Sequence, residues 1–311
     1  MKHLAKVGLS VAICSLLSAC GGGSTGGGVN STPTPPAPVQ FSNFSAIQTG
    51  ASTAVSGITR EGSVTVSSTG AILESGVTTP TVGTGSATFT LNSARQITGL
   101  GIAGAQSNVT FNASNSTSSS LLLNNQAVAT SVYNSTGTDQ ALYGDPYVLG
   151  FNYQTFGVWG TGLVAGGTGK FGAMSVGAPT SASAVPTTGS VTYHGYAGGV
   201  YTAGAIWRYA ANATFNANFA NRTVDFSTSN QTITSVDTNV TVPTTGLQIS
   251  GTMNYASGSS SFSGNLSATG TYTLTGTGSG TFYGPTANEI GGTFFLRSTL
   301  GTLVGGFGGK Q

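Results

Sequence analysis

The stretch Gly280-Thr-Phe-Tyr-Gly-Pro-Thr-Ala-Asn-Glu-Ile-Gly-Gly-Thr-Phe294 contains two short runs of β-branched and aromatic residues around a Gly-Pro pair. Such side chains favour strands, and a Gly-Pro pair favours a turn. The stretch therefore predicts a strand that ends at Phe282-Tyr283, a turn at Gly284-Pro285 and a second strand. We expect Glu289 to anchor this loop by accepting hydrogen bonds from backbone N–H groups.

Strand-forming patterns recur along the chain from Phe41 onward. Apolar and polar side chains alternate at 85–91, 108–113, 211–217 and 222–227, which is the period of a strand with one buried face. No segment shows apolar residues at the sustained spacing of an amphipathic helix. Gly, Pro, Asn and Ser bound these short stretches, as is typical of turns. The sequence therefore predicts a nearly all-β fold.

The N-terminus has the pattern of a secretory signal. Lys2 and Lys6 precede an apolar run over 7–17 that is too short to span a membrane, and small residues follow it. Leu17-Ser-Ala-Cys20 resembles the lipobox of bacterial lipoproteins, in which the cysteine receives the lipid. We predict a signal peptide over 1–19 and lipidation, including palmitate, at Cys20; an ordinary signal peptide with an incidental cysteine is the alternative.

Cleavage before Cys20 would also change the charge of the protein. The chain of 311 residues has nine Lys or Arg and seven Asp or Glu. Loss of two lysines leaves seven basic side chains against seven acidic ones. Without a basic excess we expect no nucleic-acid partner. Because lipidation would occupy Cys20, we expect no disulfide and no cysteine-ligated metal in the folded part.

Residues 20–40 combine a glycine-rich half with a proline-rich half. Such a segment predicts a tether that holds a domain about 40–50 Å from its anchor. Glycine follows Cys20, whereas an aspartate there is associated with retention in the inner membrane among the lipoproteins that the motif resembles. We therefore expect the outer membrane of a Gram-negative bacterium.

Two domains are predicted after the tether. Gly144-Asp145-Pro146 breaks the chain, and residues 41–140 contain four Phe, one Tyr and no Trp. We interpret 41–147 as a small, thinly packed β domain. Both tryptophans and most tyrosines follow, and closely spaced strands over 148–311 favour a closed barrel, which leaves no exposed edges.

The 280–294 stretch and the final Val304-Gly-Gly-Phe-Gly-Gly-Lys310 resemble the closing strands of the transferrin-binding protein B-like β-barrel family. Thr155–Trp159 and Val185–Tyr193 fit the same pattern, so that the resemblance covers about 150–311. The resemblance implies an all-β fold, in which an eight-stranded antiparallel barrel follows a smaller β handle. It also implies a lipoprotein that is exposed on the surface of the outer membrane. Relatives bind transferrin, lactoferrin, complement factor H or, in hemophilin, haem. One handle and one barrel fit here, against two of each in transferrin-binding protein B, so transferrin is not the expected ligand.

The sequence contains no complete catalytic or phosphate-binding motif. After cleavage His194 is the only histidine, and the Gly-x-Ser-x-Gly match at 22–26 lies in the tether rather than between a strand and a helix. The run 166–171 has no first glycine of a phosphate-binding loop, and the acids form no cluster. We therefore predict no enzyme activity and no metal site.

A binding role depends on the segment 193–209, in which aromatic and basic residues crowd together. Tyr, Trp and Arg most often carry binding energy at interfaces. The candidate ligand-binding residues are Tyr193, His194, Tyr196, Tyr201, Trp207, Arg208 and Tyr209. Alternation along a strand places His194 and Tyr196 on one face and Tyr193 on the other. The alternative is that these aromatics fill or line the barrel.

The expected function is a surface-exposed lipoprotein that binds a host protein or a small nutrient ligand. No cofactor is expected. A haem protein in which His194 ligates the iron is one alternative, since imidazole serves as an axial ligand. A structural or adhesive envelope protein without a soluble ligand is the other.

Overall fold

The computed structural model describes residues 41–270 and 273–311. The predicted signal peptide, Cys20 and the tether lie outside these residues. The described chain is nearly all β, as predicted, with one short α-helix. The strands are β1 Ser52–Val66, β2 Ile72–Leu73, β3 Thr81–Leu91, β4 Ile97–Ala103, β5 Asn108–Asn112, β6 Ser116–Leu123, β7 Gln126–Asn134, β8 Gln140–Tyr143, β9 Gln154–Thr161, β10 Thr168–Gly177, β11 Ser190–Thr202, β12 Ile206–Asn218, β13 Thr223–Ser235, β14 Thr241–Pro243, β15 Gln248–Asn254, β16 Ser261–Thr269, β17 Leu274–Tyr283, β18 Glu289–Arg297 and β19 Thr302–Lys310. Helix α1 is Pro146–Leu149, and 3₁₀ turns occupy Phe44–Ala46, Glu74–Gly76 and Ala182–Ala184.

Strands β11 to β19 form a closed antiparallel barrel of eight strands, as the resemblance implied. The pairing order is β12-β11-β19-β18-β17-β16-β15-β13, and β13 pairs back to β12; β14 is attached to β13. The barrel interior is filled by its own apolar core, in which Phe215 and Phe226 stack with ring centroids 4.9 Å apart. The predicted strands at 211–217 and 222–227 lie in β12 and β13.

Strands β1 to β10 form one curled antiparallel sheet, which we call the handle sheet. Its order is β5-β4-β3-β1-β10-β9-β8-β7-β6, with β2 beside β1. We expected a small, thinly packed sheet, but ten strands enclose a core of their own. Few aromatics suffice because Phe44, Phe89 and Phe111 are all fully buried among aliphatic side chains.

The boundary between the two sheets differs from our expectation. Strands β9 and β10, which we placed in the barrel over 148–311, pair with β8 and β1 of the handle sheet. The break at 144–146 is internal to the handle, where the Asp145 side chain accepts the Tyr147 N–H and caps α1. We assigned the aromatic-rich segment around Trp159 to the barrel, but Trp159 packs in the core of the handle sheet.

The handle sheet packs on the outer wall of the barrel along an interface that we call the seam. A third apolar core fills it, and it takes side chains from both sheets, including Phe156 and Phe171 from the handle and Phe295 and Val304 from the barrel. The rings of Phe171 and Phe295 stack at 6.2 Å. The outward face of several barrel strands is therefore buried as well as the inward face.

Candidate functional site

Strands β11 and β12 carry all seven candidate binding residues, whose side chains alternate between the two sides of the barrel wall. Tyr193, Tyr201 and Tyr209 point inward and are buried in the barrel core. The Tyr193 hydroxyl donates to the Ala287 carbonyl at 2.7 Å, and burial raises the pKa of Tyr193 to about 12. The structure thus gives these three tyrosines the packing role that we weighed as the alternative.

Trp207 is half-buried and packs against the same core. His194, Tyr196 and Arg208 point outward. His194 and Tyr196 share the outer face while Tyr193 takes the inner one, as the alternation predicted. The outward residues do not form one site, because His194 and Tyr196 line a different depression from Arg208.

The depression beside His194 is an open groove of about 580 Å³. His194 is exposed, and Asn212, Thr214, Ser229 and Lys310 line much of the groove. The Lys310 ammonium donates to the Gly150 carbonyl at 3.0 Å. These residues do not fit an enclosed haem, because a porphyrin needs an apolar pocket around its faces. The haem role of His194 stays a prediction, which a haemin titration of the full chain and of His194→Ala checks.

Arg208 lies at a second depression, which we call the seam cavity. It has a volume of about 110 Å³ and lies between the handle sheet and strands β11, β12 and β19. Most of its lining is aliphatic, with Val158 from the handle and Val200 and Val304 from the barrel. Sequence reasoning missed these residues. The sequence pattern that could have indicated them is that β11 and β19 carry apolar residues on both faces, which is typical of strands buried on both sides.

The seam also holds polar groups away from water. Glu289 accepts backbone N–H groups of Asn152, Tyr153 and Gln154 at 2.6, 3.0 and 3.0 Å. The prediction that Glu289 accepts backbone N–H groups is confirmed, but they belong to the first residue of β9 and the two residues before it, and not to the 284–288 turn. Burial raises the pKa of the Glu289 carboxyl, although these hydrogen bonds and Lys310 oppose the shift.

Arg60 is the other charged group buried at the seam. Its guanidinium donates to the hydroxyls of Thr277 and Ser279 on the barrel at 3.0 and 3.4 Å. Burial lowers the pKa of Arg60 to about 10. Arg60 and Glu289 therefore join the two sheets and are not available to a ligand.

Five loops each contain or adjoin a residue that lines the seam cavity, and together we call them the loop end. They are 67–71, 162–167, 203–205, 236–240 and 298–301. Backbone hydrogen bonds join two pairs of segments, from Gly166 N–H to Ser67 O at 2.8 Å in the handle and from Val236 N–H to Ile206 O at 3.1 Å in the barrel. Val164, Val240 and Leu300 in these loops are 55, 56 and 59% exposed.

Within residues 41–270 and 273–311, no group of three or more His, Cys, Asp or Glu side chains is arranged to hold a metal ion. No helix in that part of the chain is long and apolar enough to cross a membrane.

Residues 185–311 match the family described as the C-lobe and N-lobe β-barrels of Tf-binding protein B. The barrel is similar to this family. The matched range contains all eight strands of the barrel and ends with β19. The handle sheet precedes the matched range. No curated protein sequence matches the chain.

Several solved structures resemble the chain at low sequence identity. Intact Ap-TbpB, with N and C lobes, is 16% identical with a TM-score of 0.44, over 82% of this chain and 46% of that one. A mutant transferrin-binding protein B from Haemophilus parasuis is 12% identical with a TM-score of 0.42, over 83% and 76%. The isotype 1 protein from serogroup B Neisseria meningitidis is 17% identical with a TM-score of 0.41, over 81% and 43%. The chain thus spans less than half of the first and third of these proteins.

Proposed function

We propose that this chain is a surface-exposed lipoprotein of the Gram-negative outer membrane that binds a host protein or a small nutrient ligand and has no enzyme activity. Residues 20–40 would tether the handle and barrel to a lipid on Cys20. The family that matches the barrel is named for a protein that binds transferrin. A host protein is therefore the first class of ligand to test.

The observation that carries the proposal is the apolar surface of the loop end. Val164 comes from the handle sheet, whereas Val240 and Leu300 come from the barrel, and each is more than half exposed. Exposed apolar side chains grouped in one place mark interaction surfaces more often than isolated ones do. Loops of both sheets contribute, so a partner that covers the loop end would meet apolar side chains from the handle and from the barrel.

Capture of purified proteins by the immobilised full chain tests the proposal. The panel is transferrin, lactoferrin and complement factor H. We expect one of them to bind and the triple variant Val164→Ser, Val240→Ser, Leu300→Ser to lose that binding. Val148→Ser is the matched control, since Val148 is 58% exposed on α1, outside the loop end. Binding that the triple variant retains would exclude the loop end, and no binding by any protein would contradict the host-protein form of the proposal.

A further inference from the structure

The seam cavity has the size and lining of a site for a small apolar group. Its volume of about 110 Å³ approaches that of an engineered cavity of about 150 Å³ that admits benzene. Val64, Val77 and Phe171 of the handle face Val200 and Val304 of the barrel across it. An aromatic ring or a short hydrocarbon chain fits such a space.

Arg208 supplies a cation at this apolar space. Val200, which lines the cavity from β11, is the register partner of Arg208 on β12. The Arg208 side chain is half-buried and makes no hydrogen bond or ion pair with any residue that the structure describes. Burial lowers the pKa of its guanidinium, and the nearby Tyr133 opposes the shift. Arg208 differs in this respect from Arg60 and Arg95, whose guanidiniums donate to oxygen atoms of the protein.

A guanidinium carries five N–H donors in a fork that matches a carboxylate. Ser131, Gln140, Thr202 and Thr302 are the other polar residues of the lining, and none of them carries a charge. The lining thus contains no acidic side chain; the carboxylate of Glu74 lies behind Thr302, whose hydroxyl donates to it at 2.9 Å. A ligand that is apolar at one end and anionic at the other would complement both properties of the cavity.

We propose that the seam cavity is a binding site for a small apolar carboxylate, such as an aromatic acid or a short-chain fatty acid. The ring or chain occupies the space among the valines, and the carboxylate accepts hydrogen bonds from Arg208. The cavity adjoins the loop end, because Leu163 and Val236 line it, but binding through Arg208 and the valines does not depend on capture of a protein.

Fluorine NMR of 4-fluorobenzoate with the full chain tests the proposal. We expect saturable broadening of the ligand signal by the unmodified protein. Arg208→Gln should weaken binding by about tenfold or more, because a hydrogen bond to a charged group is lost. Arg222→Gln is the matched control and should bind normally, since Arg222 is exposed and precedes the start of β13, whereas Thr234, the partner of Arg208, lies near the end of that strand.

Two further probes separate the apolar and anionic parts of the interaction. The neutral 4-fluorobenzyl alcohol should bind about tenfold more weakly than the acid, and trifluoroacetate, which has neither a ring nor a hydrocarbon chain, should show no saturable binding. Val200→Phe should abolish binding of the acid by filling the cavity while leaving Arg208 in place. Equal binding of the acid to Arg208→Gln and the unmodified protein, or no saturable binding at all, would overturn the proposal, whatever the outcome of the protein-capture experiment.

Discussion

Gln154 donates its backbone N–H to the carboxylate of Glu289 over 3.0 Å, although the two residues lie 135 positions apart. The carboxylate also accepts the N–H groups of Asn152 and Tyr153, so one side chain of β18 fixes the segment that leads into β9. A charged acceptor forms stronger hydrogen bonds than a neutral one. Glu289 therefore holds the handle sheet in place on the barrel.

Replacement of Glu289 by Gln should lower the free energy of unfolding by about 1–3 kcal/mol, because an amide nitrogen cannot accept and leaves a buried N–H unpaired. Urea denaturation followed by circular dichroism measures the change. Asp225→Asn is the control, since the exposed Asp225 accepts only from the Thr252 side chain. Equal stabilities for the two variants would contradict the role of Glu289.

Two neighbouring glycines at the seam provide a matched pair. Gly306 and Gly198 are register partners on β19 and β11. A Cβ at Gly306 would lie 2.9 Å from Phe156 Cβ and 3.1 Å from the Met174 carbonyl, whereas one at Gly198 would be no closer than 3.5 Å to any neighbour. We expect Gly306→Ala to cost about 1–3 kcal/mol and Gly198→Ala to be tolerated. Thermal denaturation of both variants measures the difference. A lower stability for Gly198→Ala than for Gly306→Ala would show that the handle does not pack so closely on Gly306 of the barrel.

Alkaline pH should destabilise the protein through its buried tyrosines. Burial raises the pKa values of Tyr143, Tyr193, Tyr209 and Tyr283, that of Tyr193 to about 12. An unfolded tyrosine ionises near pH 10, so above about pH 10 the unfolded state loses protons that the folded state keeps. The stabilising contribution is complete below that pH and is lost as the pH rises through the folded pKa values.

Urea denaturation at a series of pH values, together with tyrosinate absorbance, measures this effect. Tyr193→Phe should make the fall in stability with pH shallower. Arg60 acts in the opposite direction, because its pKa is lowered to about 10 and the folded state gives up that proton first. Arg60→Met should therefore make the fall steeper. Stability that is independent of pH above 10 in all three proteins would refute the argument.

Anchoring is tested at Cys20. We expect Cys20→Ala to move the protein from the membrane fraction to the soluble fraction, because the residue that receives the lipid is lost. Cell fractionation with immunoblotting measures the distribution, and metabolic labelling with an alkyne-bearing palmitate analogue reports the lipid directly. Membrane association and labelling that persist in Cys20→Ala would exclude this anchor.

The pattern of alternation was enough to predict the fold class and several strands. The predicted strands at 85–91 and 108–113 correspond to β3 and β5, and the predicted turn at Gly284-Pro285 follows β17, with Gly284 at a φ of +85°. The domain boundary was not predictable in the same way. A turn sequence such as 144–146 has the same composition within a domain as between two domains. The assignment of β10 to the handle depends on its pairing with β1, which is distant in the sequence.

The candidate site was predicted only in part. Alternation separated Tyr193 from His194 and Tyr196, but it gives no sign of which side of a barrel wall is the interior. It also cannot reveal the seam cavity, since Val158 and Val304 are far apart in the chain and meet only when the handle packs on the barrel. Arg208 was named from residue type alone, and its apolar surroundings become visible only in three dimensions.

Strand β19 follows the other seven barrel strands in the chain, yet it lies between β11 and β18. A chain that emerges from its N-terminal side thus has β11 and β18 in place, each with an unpaired edge, until residues 302–310 arrive. Unpaired edges invite association with other chains. The barrel cannot close until residues 302–310 pair with both neighbours, so loss of this last strand would leave two edges open to association with other chains.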